Sequence, residues 1–286
     1  MEIKILVTGV EGYIGSMVYQ QLELMGRYSF MNPDSSHNIT VQPLFFLDQK
    51  SIASFINENF DFIFHCAVVG GRNYDINSEF TYDQNIELFN LVKSLKCDKI
   101  IHFTSAADLG INNNINNANP NLVLDANPND NFGKAKNVIS KEIILNKLGI
   151  NIRIFNIYGR FVNNSTNFID SLIDSCLLNK DIIINADRYF DFFYIENLRT
   201  ILVKIINQEI ITDYNLVHNK KYKISELVYF ISNYLKSESL ISITKSEKNY
   251  TGSNSIEISS IDLIDPVTDL KEYINLRKSG LFKNQS

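Results

Sequence analysis

Cysteine is scarce in this chain, with only Cys66, Cys97 and Cys176 among 286 residues. The three stand far apart in apolar surroundings, so neither a disulfide framework nor a zinc site is indicated, no metal is expected, and the thiols read as reduced core residues. Long hydrophobic runs are missing as well. No segment approaches the ~20 apolar residues of a membrane span, and "MEIKILVTG" has no basic region leading into a long apolar one. The expected location is the cytoplasm, away from membranes. Basic excess is the third absence. With 27 Lys and Arg against 32 Asp and Glu, the net charge is −5, which argues against nucleic acid as a partner. A small, multiply anionic ligand needs only a local site and stays open.

What is present is a 45% hydrophobic fraction, enough at this length for one large domain or a main domain with a smaller appendage. The opening "IKILVTG" is a β-branched apolar run that stops at glycine. The following "YIGSMVYQQLELMG" carries apolar residues at helical spacing up to Gly26. Comparable runs recur at "VQPLFF", "FDFIFHCAV", "DKIIHFTSA" and "INIRIFNIYG", with helical stretches near residues 50–58, 78–95 and 132–148 between them. Strands alternating with helices indicate an α/β fold, a doubly wound parallel sheet of Rossmann type. Beyond residue 160 the alternation loosens, with helical patterns near 165–178, 196–208 and 223–236. We therefore expect a dinucleotide-binding domain over 1–160. Residues 161–286 are expected to form mainly a substrate-binding lobe, partly interleaved with the sheet. The Asn- and Pro-rich "GINNNINNANPNLVLDANPNDN" reads as a long loop, a cover rather than a packing element.

The turn "TGVEGYIG" sets Gly9, Gly12 and Gly15 at three-residue intervals between the first strand and the first helix. Glycine permits the tight turn at the first position, close approach of a pyrophosphate at the second, and close helix packing at the third. The competing reading is a turn that only lets strand and helix pack, but the placement after an N-terminal strand favours a dinucleotide held by Thr8, Gly9, Gly12, Tyr13, Ile14 and Gly15. After the second strand, Asp34 offers a carboxylate for a ribose hydroxyl, while Ser35, Ser36 and His37 offer partners for an added phosphate. The reading leans slightly to NADP(H) over NAD(H), with Ser36 as the contact.

Six segments in order now resemble the extended short-chain dehydrogenase/reductase family, the NAD(P)-dependent sugar-nucleotide epimerases, dehydratases and reductases. "TGVEGYIG" is similar to its T-G-x-x-G-x-x-G turn, "HCAVVGG" to its H-x-A-A segment, and "FTSAADLG" to S-S/T-x-x-V-Y-G. "NFGKAK" is similar to Y-G-x-S-K, "RIFNIYGR" to R-x-x-N-V-Y-G-P, and "YFDFFYIENL" to R-D-F-x-Y-V-D-D-L. Within the family, "LDQKSIASFINENFDFIFHCAVVGG" looks most like GDP-fucose synthase-like keto-sugar reductases. The resemblance implies a nucleotide-diphosphate sugar as substrate and a homodimer. It also implies that the backbone at His65 and Ala67 lies beside the cofactor.

In that family a Ser/Thr, a Tyr and a Lys act together. The tyrosine moves the proton as hydride moves, and the lysine lowers the phenol's pKa from ~10 and holds the nicotinamide ribose. Carried over, these positions are Ser105, Phe132 and Lys136, so the proton-moving hydroxyl is absent; the chain reads as an engineered tyrosine-to-phenylalanine variant, a natural enzyme that recruits another acid, or a natural binder that has lost chemistry. The family's dehydratases place Asp and Glu after the catalytic Ser/Thr, where this chain has Ala106 and Ala107. The Cys and His that GDP-fucose synthase uses for epimerisation fall at Ala107 and, by looser alignment, Asn167. Dehydration and 3,5-epimerisation are therefore disfavoured. The expected function is NAD(P)-dependent reduction of a 4-keto nucleotide sugar for surface-polysaccharide precursors. A 4-epimerase and a catalytically inactive binder of nucleotide sugar or cofactor are the alternatives.

Arg72, Ser105, Asn156 and Arg188 are the set expected nearest the substrate. A planar guanidinium suits phosphate, and Arg72 follows a glycine pair at a strand end while Arg188 precedes an aromatic run; a solvated surface arginine is the competing reading for each. Asn156 and Asn85 match family asparagines near the sheet's C-terminal edge and read as architectural. The His65 side chain reads as structural, and Asp48 as a helix cap. Tyr74 and Tyr82 read as packing or surface residues, although either carries the hydroxyl that Phe132 lacks.

Overall fold

A computed structural model of the chain describes residues 2–29, 38–45, 48–70, 76–110, 113–160, 168–245, 248–254, 263 and 265–279. In chain order the elements are β1 (Glu2–Thr8), α1 (Tyr13–Ser29), β2 (Asn38–Leu44), the short α2 (Gln49–Ile52), β3 (Asn59–His65), α3 (Glu79–Lys93), β4 (Lys96–Ser105), β5 (Ile115–Ala118), α4 (Asn131–Leu145), β6 (Gly149–Ile154) and β7 (Ile157–Tyr158). They continue with α5 (Phe168–Leu177), β8 (Ile182–Ile184), β9 (Phe193–Tyr194), α6 (Leu198–Ile206), β10 (Tyr214–Leu216), α7 (Ile224–Leu235), β11 (Ile241–Ile243), β12 (Tyr250–Gly252) and α8 (Pro266–Lys278).

Among the described residues the central sheet has six strands in the order β2-β1-β3-β4-β6-β10. β1 pairs in parallel with β2 on one side and β3 on the other, and β3 pairs in parallel with β4. The expected Rossmann-type α/β sheet is what forms. A strand buried on both faces must be apolar throughout, and Ile5, Leu6 and Val7 of β1 are each fully buried. β2 stands at the edge, where Pro43 costs the ladder nothing that another strand would need. Because the chain leaves β1 towards β2 on one side and β3 on the other, the ends of β1 and β3 flank a topological switch point, where such sheets bind ligands.

The chain divides into two compact units. One comprises Met1–Ile111, Asn121–Arg153 and Leu198–Tyr214, the other Asn112–Pro120, Ile154–Asn197 and Asn215–Ser286. In the first, Leu6, Ile63, Phe89, Ile100 and Ile139 form the core between sheet and helices. In the second, α5, α7 and α8 close around Tyr158, Ile173, Ile231 and Tyr273. No helix among the described residues is long and apolar enough to cross a membrane.

Two local expectations change. The helix expected near 50–58 ends at Ile52: Asp48 caps it by accepting from Ser51 N at 2.7 Å, but only one regular turn fits before β3 begins. The Asn-rich stretch is not a loose cover. Ile115–Ala118 forms a strand with Tyr250–Gly252, Ile115 and Ala118 are buried, and Asn117 N donates to Thr251 Oγ1 at 2.9 Å. The partner strand lies over a hundred residues away, so local composition carries no sign of the pairing.

Candidate active site

β1 ends in a turn that only glycine can make. Gly9 has φ +69°, and a Cβ there would lie 2.6 Å from the backbone of Ala67, after β3. At Gly15 a Cβ would sit 2.0 Å from Gly9 O, so α1 rests directly on the turn. Gly12 differs, because a Cβ there meets nothing closer than Gly9 O at 3.4 Å, an ordinary van der Waals contact. Two glycines are needed for packing, and the middle one leaves room at the start of α1, where backbone N–H groups face an incoming ligand. That is the arrangement a dinucleotide pyrophosphate requires, so Thr8, Gly9, Gly12, Tyr13, Ile14 and Gly15 fit the cofactor. Thr8 is buried, its Oγ1 lies 3.1 Å from His65 Nδ1, and it accepts from Ala67 N at 3.4 Å. The strand ends on both sides of the switch point are thereby tied together. Asn85 fastens the segment after β3 to α3, donating to Val69 O at 2.7 Å and accepting from Val69 N at 3.1 Å.

Ser105 closes β4 and caps the 3₁₀ turn Ala106–Leu109, its Oγ accepting from Ala107 N at 3.2 Å. Across that turn lies the start of α4. Asp130 caps the helix by accepting from Gly133 N at 2.6 Å, and Phe132 N donates to Ile76 O at 2.9 Å. A side chain at Gly133 would strike Ala107 O at 2.6 Å. This close contact holds the Phe132 end of α4 against the Ser105 end of β4. Phe132 is 9% exposed, and its ring packs beneath Gly70, whose φ is +100°. Ala106 and Ala107 are both buried and carry no proton to exchange.

Lys136 follows Phe132 by four residues and so shares its face of α4. It is 4% exposed, and its single hydrogen bond among the described residues is a long one, Nζ to Phe103 O at 3.5 Å. Burial pulls its pKa down to about 8, against the opposing pull of Asp108 and Cys66. The rings below are neutral. His65 falls to about 3 through burial and then the charge of Lys136, and His102 falls well below the usual imidazole value for the same two reasons. The two imidazoles stack at 5.1 Å between centroids. Cys66 is pushed upward by burial and stays a thiol.

Beneath this site lies a charged network that sequence reading missed. Arg153 Nε meets Asp108 Oδ1 at 2.8 Å with both side chains fully buried, and Thr104 Oγ1 and Ser140 Oγ donate to Asp108 Oδ2 at 3.2 and 3.1 Å. The available signal was an arginine in the middle of the apolar run "INIRIF", since a buried strand holds a charge only with a partner.

Asn156 and Arg188 belong to the second unit. Asn156 accepts from Ile157 N and Phe193 N, fixing β7 beside β9. The guanidinium of Arg188 stacks over Phe190 at 4.8 Å and Tyr250 at 5.8 Å. The structure thus gathers Thr8, the three glycines, His65, Ala67, Ser105, Phe132 and Lys136 in the first unit and leaves Asn156 and Arg188 outside it. Asp34, Ser35, Ser36, His37, Arg72, Tyr74 and Asn167 lie outside the described residues.

A doubly wound sheet, a three-glycine turn at its switch point, and a serine and a buried lysine at the neighbouring strand and helix make up the candidate site. The chain belongs to the NAD dependent epimerase/dehydratase family, whose sequence model matches residues 5–216. No curated protein matches it significantly. Three solved structures share the fold over nearly the full length. UDP-glucose 4-epimerase from Thermotoga maritima, with UDP-glucose, is 14% identical at a TM-score of 0.76, covering 98% of this chain and 100% of that one. GDP-mannoheptose C4 reductase from Campylobacter jejuni, with NADP bound, is 16% identical at 0.73, covering 97% and 98%. The third is a tyrosine-to-phenylalanine mutant of UDP-glucuronic acid 4-epimerase from Bacillus cereus, in complex with UDP-4-deoxy-4-fluoro-glucuronic acid and NAD. It is 19% identical at 0.72, covering 97% and 99%.

Proposed function

We propose that the chain is an NAD(P)-dependent reductase of a 4-keto nucleotide-diphosphate sugar, with a slight preference for NADP(H) over NAD(H), and that it lacks the proton-donating hydroxyl at Phe132. The observation carrying this reading is the pairing of Ser105 with Lys136: a hydroxyl at the end of β4 and a buried ammonium on the facing side of α4, held together by the contact of Gly133 with Ala107 O. The glycine turn would hold the dinucleotide, which supplies hydride when bound. Ser105 would orient a carbonyl oxygen through its O–H, and Lys136 would hold the ribose. Ala106 and Ala107 leave no group for eliminating water, which favours simple hydride chemistry over dehydration.

The test is single-turnover mixing of the protein and its Phe132→Tyr variant with reduced dinucleotide and a 4-keto nucleotide sugar. Tyrosine is expected to raise the rate by roughly 10²-fold or more, the scale of one general acid. No hydride transfer in either protein would refute the reductase reading. Titration with NAD(H) and NADP(H) reports the preferred form.

A further inference from the structure

A reduction at this site needs a proton for the oxygen once hydride has reached the carbon, and the ring of Phe132 has none to give. Among the described residues, the neighbouring groups are each disqualified by their surroundings. Thr8 Oγ1 and His65 Nδ1 are engaged with each other. His102 lies beneath His65 in the sheet, paired with it in register. The Ser105 hydroxyl can donate a hydrogen bond but is far too weak an acid to release its proton, and Cys66 is a buried thiol held neutral. Lys136 is left. It carries three N–H donors, is buried, and among the described residues makes one long contact, 3.5 Å to Phe103 O; it lies one helical turn from Phe132 on the same face.

We propose that Lys136 is itself the proton donor of the reduction, taking the role a hydroxyl at position 132 would have. The proposal rests on the reductase reading above. In the step, the carbonyl carbon receives hydride from the reduced dinucleotide, the π pair of the C=O bond moves to oxygen, and oxygen takes a proton from Nζ. The products are the alcohol, the oxidised dinucleotide and a neutral amine, which regains its proton from solvent. The surroundings suit this exchange. Burial of Nζ favours the neutral amine; Asp108, after β4, and Cys66, after β3, favour the ammonium, while the neighbouring His65 and His102 stay neutral. The balance at about 8 leaves an acid that is charged at neutral pH yet able to let go.

Two measurements test it. Competitive acetylation of the cofactor-free protein with acetic anhydride, read at Lys136 by peptide mass spectrometry across pH 6–11, needs no turnover. A midpoint near 8 is expected, and one above about 10, the ordinary lysine value, overturns the proposal. Single-turnover hydride transfer is then followed against pH. In the protein as it stands the rate is expected to fall about tenfold per pH unit above 8, as for a single required acid. Lys136→Arg, which keeps the charge but does not titrate there, is expected to lose about 10²-fold at pH 7 while binding the dinucleotide within about threefold. Adding Phe132→Tyr to that variant is expected to restore much of the rate. An unchanged rate and pH profile in Lys136→Arg, or an equal loss in Tyr82→Phe, overturns the proposal. Transfer by Phe132→Tyr with none by the parent overturns it alone, whereas no transfer by either overturns the reductase reading with it.

Discussion

Replacing Lys136 by methionine is expected to stabilise the cofactor-free protein at neutral pH. The side chain is 4% exposed, and its charge is balanced only in part by Asp108, which Arg153 already occupies. Its pKa drops from 10.5 to about 8, chiefly through burial. A folded-state value below the unfolded one means that the unfolded chain binds more protons between the two, so stability rises with pH across that window and is lowest below it. At pH 7 the charged lysine therefore costs on the order of 3 kcal/mol relative to a neutral side chain of similar length, and at pH 10 the cost shrinks to about 1 kcal/mol or less. Urea unfolding followed by circular dichroism, at pH 7 and pH 10, measures both values. Lys136→Met should unfold at higher urea at pH 7, and its advantage should narrow at pH 10. A variant no more stable than the parent at pH 7, or a gap that does not depend on pH, would refute the claim that the site holds its ammonium at a cost.

The three glycines should separate by readout: Gly15→Ala, with its Cβ 2.0 Å from Gly9 O, should lose about 3 kcal/mol or more of stability in urea. Gly12→Ala, which meets nothing closer than 3.4 Å, should unfold nearly like the parent yet bind dinucleotide at least about tenfold more weakly by calorimetry. Asp108→Asn strands the buried Arg153 and should cost about 3–5 kcal/mol in the same unfolding assay. His65, whose pKa falls from 6.5 to about 3, binds its proton more readily unfolded, so stability is full above pH 6.5 and lost as pH falls toward 3. The parent should lose on the order of 4 kcal/mol over that range that His65→Gln does not, measured as the difference in acid dependence of the urea midpoint.

Much of the sheet was legible because parallel strands covered on both faces must be apolar throughout. Val7 in β1 and Ile63 in β3 announce themselves in continuous runs that no amphipathic helix would show. The long helices α1, α3 and α4 follow from their spacing, and the cap at Asp48 from its residue type, whereas the helix expected near 50–58 stops at Ile52. What stayed hidden depends on distant partners. Ile115–Ala118 is surrounded by asparagines that read as loop, and it is a strand only because Tyr250–Gly252 lies beside it. The second unit is assembled from such returns of the chain, including β8 with β11 and β7 with β9, and short strands of two or three residues leave no periodicity to read.

The site divides along the same line. Gly9, Gly12 and Gly15 were visible as a motif, but that only the middle one is sterically free emerges from the approach of Ala67 and the seating of α1. Ser105 and Lys136 were visible by resemblance, and so was the phenyl ring of Phe132 where that resemblance expects a tyrosine. Invisible were the stacked neutral imidazoles under the lysine and the Arg153–Asp108 pair on which its charge depends. A lysine kept only to finish a helix would be exposed, where an ammonium costs nothing, and a buried position filled only for packing would be apolar. Lys136 is neither. It sits one turn from a phenyl ring that cannot exchange a proton, beside two histidines that stay neutral. Whether Lys136 acts on substrate or only holds a ribose is answered by a single variable, the pH at which the reaction stops, because a lysine that merely binds can lose its proton without removing the acid.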